Sequence, residues 1–289
     1  MFTQLLVSGL ALGSVYALLG IGLVLIHKAT DVVNFAQGEM AMFMTFVAYV
    51  LLNRWGLPLP LIFLVGPLAA GLLAALTERL VMRPISAGPP VNAIITTIGL
   101  WIVFNHTAGW IWGYDPYKFP SLFPTEAIEV AGARLSPNSL GVIGVSLLVM
   151  TVLYVFFEYT REGTAMRAAS MNRRSAALMG INVARVSLLA WGLAGAIGAI
   201  CGMLVAPALF LDFEMMSTVL LKAFAGAIIG GFNSMPGAVL GCLVVGIAET
   251  FFGGYVSSAF KDAFAFVAIV AVLMLRPNGL FGGKRITKV

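Results

Sequence analysis

Long apolar runs at about residues 4–27, 33–52, 58–81, 91–113, 138–158, 185–210, 217–232, 237–253 and 260–276 take up most of this 289-residue chain. About 20 such residues carry one helix across a bilayer core roughly 30 Å thick. Backbone in lipid must satisfy its own hydrogen bonds, so helices are the form open to these runs. The expected fold class is therefore all-α, a polytopic transmembrane helical bundle of eight or nine spans.

Charge agrees with this reading. Only 10% of the residues are charged, against roughly 25% in a soluble domain, and too few remain to build a polar coat. The net charge of +5 sits in short loops and tails, where orientation rules put Lys and Arg. It makes lipid the expected partner and gives no argument for nucleic acid. Cys201 and Cys242 both fall inside apolar runs and read as small core packers. The opening stretch carries no charge through Ile26. It lacks the basic start and small-residue cleavage site of a secretory signal, so a retained first helix is expected.

Two of the runs are short. "GGFNSMPGAVLG" (230–241) separates 217–232 from 237–253. Gly-interrupted short segments in succession point to half-helices or a re-entrant segment near 217–253.

Orientation follows from the loops. The 158–185 connection has five Arg against Glu158 and Glu162, and the tail has Arg276, Lys284, Arg285 and Lys288 with no acid. Both are expected to be cytoplasmic, as is the 78–90 connection with Arg79 and Arg83. The 114–137 connection then falls on the opposite side.

The loop at 161–185 has a second pattern beneath its charge. Thr164 reads as a helix N-cap and Gly180 as a helix stop. Between them Ala165, Ala168, Ala169, Asn172 and Ala176 fall near one helical face, while Arg167, Arg173 and Arg174 point elsewhere. A short cytoplasmic helix with a small-residue side is shaped to dock into a groove on a soluble partner.

The run Gly163-x-Ala165-x-Arg167-Ala168-x-x-x-Asn172-x-x-x-Ala176-x-x-x-Gly180-Ile181 resembles the cytoplasmic coupling loop of the branched-chain amino acid ABC importer permeases, LivH type. "VVNFAQGEMAMF", "GGFNSMPGAVLG" and "LRPNGLFG" are similar to three further landmarks of that family, in the same order. Phe232-Asn233 stands where members more often carry Leu-Gly. The resemblance implies a single permease domain over 1–289, with a coupling loop at 159–183 and a periplasmic connection at 114–137. It implies a non-catalytic subunit of an ATP-driven, binding-protein-dependent importer in the bacterial inner membrane, its C-terminus cytoplasmic. Its partners would be a homologous permease (LivM type) or a second copy, two cytoplasmic ABC ATPases and a periplasmic binding protein. No cofactor is expected on this chain, and ATP and Mg would bind the ATPases. Branched-chain amino acids are the implied substrates. Amides, urea and aromatic acids are the alternatives within the class.

Several polar residues lie in the apolar runs. Asn34, Gln37, Gly38 and Glu39 could form an unwound helix end lining a pathway, or a structural contact between helices. Asn92, Thr96 and Thr97 give the 91–113 run a polar stripe, which Gly99 and Asn105 extend. Glu249 reads as structural. Trp101, Trp110, Trp112, Tyr114 and Tyr117 resemble an aromatic belt. His27 and His106 have no companions at metal-ligand spacing. An ion-coupled secondary transporter is the rival reading. It calls for intramembrane acids paired with bases, and no such pair stands out in the sequence. An intramembrane enzyme lacks its motifs here.

Overall fold

The computed structural model describes residues 1–86, 88–124, 126, 128–130, 133–275 and 279–280. Every apolar run becomes a helix. In order these are α1 (Phe2–Thr30), α2 (Gln37–Asn53), and α3 (Leu59–Thr77), which runs on through a π-helical turn (Glu78–Met82) into α4 (Arg83–Ile85). Then come α5 (Pro90–Trp112), a hairpin of β1 (Ile128–Val130) and β2 (Ala133–Leu135), and α6 (Pro137–Tyr159). Two short helices follow, α7 (Arg161–Met171) and α8 (Arg173–Leu178). The remainder is α9 (Val183–Leu209), α10 (Met215–Gly230), α11 (Met235–Tyr255) and α12 (Lys261–Leu275).

Among the described residues, six helices are long and apolar enough to cross a membrane: α1, α3 with its continuation, α5, α6, α9 and α11. The polytopic helical class holds, while eight or nine full-length crossings do not appear. α11 has 21 residues, about 31 Å at 1.5 Å per residue, so it is a full span and not a half-helix. α10 has 16 residues, about 24 Å, and is the short member of that pair.

The chain divides into two compact units, the first made of Met1–Val24, Phe123–Ser146 and Thr218–Val289. Here small residues let helices touch backbone to backbone. A Cβ on Gly13 would lie 2.8 Å from the Leu243 Cα, which brings α1 against α11. A Cβ on Gly230 would lie 1.8 Å from the Gly237 carbonyl oxygen, so the α10–α11 turn admits no side chain there. The "GGFNSMPGAVLG" landmark is that turn. Gly231 adopts φ +103°, the Ser234 side chain caps α11 by accepting from the Gly237 N–H at 3.1 Å, and Pro236 sits in the first turn where no N–H is needed. The Leu280 N–H donates to the Ile229 carbonyl at 2.7 Å, closing the end of α10. The tail residues Arg276, Lys284, Arg285 and Lys288 lie outside the described residues.

The second unit comprises Leu25–Leu122 and Leu147–Ser217. Its core joins α2, α3, α5 and α9 around Trp191, Met40, Ala74, Ala93 and Ala194. Between α1 and α2 the chain leaves the helix at 31–36, with Asp31 at φ +56°. Asn34 stabilises the break. Its Oδ1 accepts from the Ala36 N–H at 3.0 Å, and its amide donates to Gln37 Oε1 at 3.2 Å. Such local side-chain bonds are the alternative that Asn offers to a helical ladder.

Candidate functional site

The break at 31–36 starts α2 beside α5 and α9, and so delivers Glu39 to a fully buried position. Three donors converge on its carboxylate. Trp101 Nε1 is 2.7 Å and Ser217 Oγ 3.0 Å from Oε1, while Asn105 Nδ2 is 3.1 Å from Oε2. Asn105 also donates to the Phe213 carbonyl at 2.9 Å, which fixes its orientation. Gln37 donates to the Ala194 carbonyl at 2.7 Å, tying the start of α2 to α9. A buried carboxylate without such donors is very costly. These bonds leave part of its acceptor capacity for a passing group.

The structure sorts the candidate polar residues. Asn34, Gln37, Gly38 and Glu39 are buried together. Thr97 is buried beside them, its hydroxyl reaching the Ile94 carbonyl at 2.8 Å and the Val33 carbonyl at 3.3 Å. Asn92 and Thr96 are not gathered there, Asn92 being exposed and Thr96 half-buried. The aromatic belt is redistributed as well. Trp101 serves Glu39, and Trp112 stacks on Phe46 at 5.0 Å. Tyr114 meets Phe213 edge-on at 4.9 Å, and the Tyr117 hydroxyl donates to the Trp112 carbonyl at 2.6 Å. Trp110 is the most exposed of the five, at 85%, followed by Tyr114 at 59%.

An ionic cluster that sequence reasoning missed lies in the first unit. Lys222 Nζ is 2.7 Å from Glu249 Oε1 and 2.6 Å from Asp262 Oδ1, and Lys261 Nζ is 3.4 Å from Glu249 Oε1. The Tyr16 hydroxyl donates to Glu249 Oε2 at 3.1 Å. The absence of an intramembrane acid–base pair is thereby corrected. The available signal was a single Lys inside the apolar 217–232 run, a position where a charge needs a partner. Cys201 and Cys242 are buried thiols, as expected.

The 160–182 segment departs from the expected single helix. The N-cap is Thr160, not Thr164, and its side chain accepts from the Gly163 N–H. Asn172, at φ −158° and ψ 106°, ends α7 and caps α8 by accepting from the Ser175 N–H at 2.9 Å. An Asn side chain satisfies a helix start better than it continues one, so the helix breaks there. Gly180, at φ +85°, ends α8. Its N–H bonds the Ala177 carbonyl at 3.1 Å, and the Ile181 N–H bonds the Ala176 carbonyl at 3.0 Å, the double closure of a Schellman motif.

This break also rearranges the small-residue face. Gly163, Ala169 and Ala176 are buried within the unit, Ala165 and Ala168 are half-buried, and Asn172 is exposed. A Cβ on Gly163 would meet the Phe156 carbonyl oxygen at 2.4 Å, so this glycine lets α7 fold back on the end of α6. Arg167 forms an ion pair with Glu158. Arg173 donates to the Thr30 carbonyl at 3.1 Å, a cation at a helix C-terminus. Arg185 pairs with Glu162 at 2.6 Å. Met171, Leu178 and Met179 are at least 84% exposed, beside the exposed polar residues Arg161, Asn172, Arg174 and Ser175.

These features define an integral membrane protein of many helices, with polar and ionic groups held among its spans and an outward-facing helical elbow. Residues 5–273 match the family model described as the branched-chain amino acid transport system / permease component, and the chain belongs to that family. It is 30% identical to the high-affinity branched-chain amino acid transport system permease protein LivH of Escherichia coli K12, covering 100% of this chain and 98% of that one. It is 29% identical to the corresponding permease protein BraD of Pseudomonas aeruginosa, with the same coverage of 100% and 98%. One chain of the solved PsaBC structure from Streptococcus pneumoniae in complex with Fab superposes with a TM-score of 0.53 at 15% identity. That superposition covers 96% of this chain and 92% of the other, and it shows a common fold.

Proposed function

We propose that this chain is the membrane-spanning permease subunit of an ATP-driven, binding-protein-dependent importer of branched-chain amino acids. Family membership across residues 5–273 carries the reading. The subunit is non-catalytic. ATP and Mg act on two cytoplasmic ABC ATPases, and a periplasmic binding protein delivers the substrate. A second permease chain completes the pathway in the bacterial inner membrane.

In this reading the permease is one transmembrane domain over 1–289 of eight or nine crossings, with α2, α10 and α12 as its shorter members. The C-terminus is cytoplasmic and 114–137 is periplasmic. The 159–183 segment seats on an ATPase. The double cap at Asn172 and the closure at Gly180 support this, since they hold Met171, Leu178 and Met179 outward on a rigid elbow. Gly163, Arg167, Ala168 and Ala176 then set the angle of that elbow from within. Glu39, with Asn34, Gln37, Gly38 and Thr97, borders the pathway.

The Lys222–Glu249 pair at 2.7 Å is the one observation that favours gradient-coupled transport instead. Reconstitution separates the two. Leucine uptake into proteoliposomes that needs the ATPases, ATP and binding protein supports the proposal. Uptake by this chain alone under a proton or sodium gradient overturns it. Competition by amides, urea or aromatic acids in the same assay reads the substrate class.

A further inference from the structure

The charged side chains of the elbow at 161–178 reach different neighbours. Arg167 pairs with Glu158 at the end of α6, and Glu162 with Arg185 at the start of α9. Among the described residues of α7 and α8, Arg173 is the one whose side chain bonds α1. Its Nη1 donates to the Thr30 carbonyl at 3.1 Å, and its Nη2 to Ser187 Oγ at 3.4 Å. Arg174, the next residue, is exposed and has no hydrogen-bond or ion-pair partner among the described residues.

Thr30 is the last residue of α1, and its carbonyl is one of those a helix end leaves without an internal partner. A guanidinium is a planar fork that can hold two acceptors at once. Here one acceptor is on α1 and the other on α9. Directly after Thr30 the backbone turns at Asp31, φ +56°, a conformation that a residue with a side chain keeps only where its surroundings hold it. The far end of the same segment is also held. Thr97 donates to the Val33 carbonyl at 3.3 Å, and Gln37 to the Ala194 carbonyl at 2.7 Å. Ala194 lies two turns along α9 from Ser187, so α9 backs both ends of the break. One arginine of the elbow thus grips the near end of the segment that leads into Glu39.

We propose that Arg173 is a positioning residue through which the elbow sets the 31–36 break, and with it the placement of Glu39. When α7 and α8 shift with a docked ATPase, the guanidinium carries the Thr30 carbonyl along. The break takes up the movement, because its backbone lies outside the ladders that stiffen α1 and α2. Arg174 has no part in this. The inference rests on the ATPase docking of 159–183 proposed above, and names the side chain that passes the movement inward.

The complex with its ATPases, assembled in lipid nanodiscs, tests it. Phe35→Cys is the reporter, in a Cys201→Ala/Cys242→Ala background, since Phe35 lies in the break and is 37% exposed. Its reaction with a water-soluble maleimide is expected to change in rate between the nucleotide-free complex and one trapped with ATP and vanadate. Arg173→Gln is expected to lose that change, and to lose leucine uptake in proteoliposomes, while the ATPases stay bound and hydrolyse ATP. Arg173→Lys, which returns a cation to the Thr30 carbonyl, is expected to regain the change, and Arg174→Gln to keep it. A parent complex that imports leucine with no change at Phe35→Cys overturns the proposal, as does a change that survives Arg173→Gln. Loss of the ATPases from Arg173→Gln also overturns it, by making Arg173 part of the docking itself. A parent chain that binds no ATPase overturns the importer reading as well, and co-purification alone tells that failure apart from the others.

Discussion

Lys222 Nζ lies 2.7 Å from Glu249 Oε1, with 10% of the lysine side chain exposed and none of the glutamate. One charge neutralises the other inside an apolar helix pair. Asp262, whose side chain is 69% exposed, and Lys261 close the cluster from α12, so two bases face two acids. Stripping water from the buried Lys222 and Glu249 costs several kcal/mol each, which their pairing offsets.

Removing one partner should cost more than removing both. Lys222→Met leaves Glu249 buried without its nearest cation and is expected to lower stability by about 3–5 kcal/mol. Combining it with Glu249→Leu should recover most of that loss. Thermal unfolding of the purified variants in detergent reads the difference.

Glu39→Gln keeps the size of the side chain but sets an amide donor against the donors Trp101, Asn105 and Ser217. Losing a charge-assisted acceptor should cost about 1.5–3 kcal/mol. Uptake is expected to fall more than membrane abundance does. Equal losses in the two measurements would assign Glu39 a structural role only.

Arg167 is occupied by Glu158, so its part in coupling is expected to run through that pair. Arg167→Glu should place two acids together and uncouple ATP hydrolysis from uptake. The exchange Arg167→Glu/Glu158→Arg should restore coupling. An exposed pair of this kind contributes only about 0–1 kcal/mol, so protein levels should stay near normal in both variants.

Leu178→Asp and Met179→Asp alter exposed positions and should shift stability by no more than about 0.5 kcal/mol. Co-purification of the ATPases, by contrast, should be lost. Retained co-purification with both variants would remove the elbow of α8 from the docking surface.

Much of the helical layout was legible in local sequence. Each apolar run is a helix, and Gly180 stops α8. The break before α2 falls at 31–36, so Asn34 is unwound while Gln37, Gly38 and Glu39 form the first turn of α2. Hydropathy and capping act over a few residues, so a linear reading captures them. The site was legible in part. Glu39 stood out as a charge in an apolar run, but its donors Trp101, Asn105 and Ser217 were hidden because they lie 62, 66 and 178 residues away. Trp101 read as a belt residue for the same reason.

The sequence by itself determined that this chain is a helical membrane protein with a basic, capped loop, because lipid dictates those features run by run. Only the tertiary structure decided which polar groups meet. It set Lys222 between Glu249 and Asp262, gave Arg167 to Glu158, and buried Gly163, Ala169 and Ala176 while leaving Leu178 and Met179 outside. Burial and pairing depend on where distant helices cross, which no local pattern encodes.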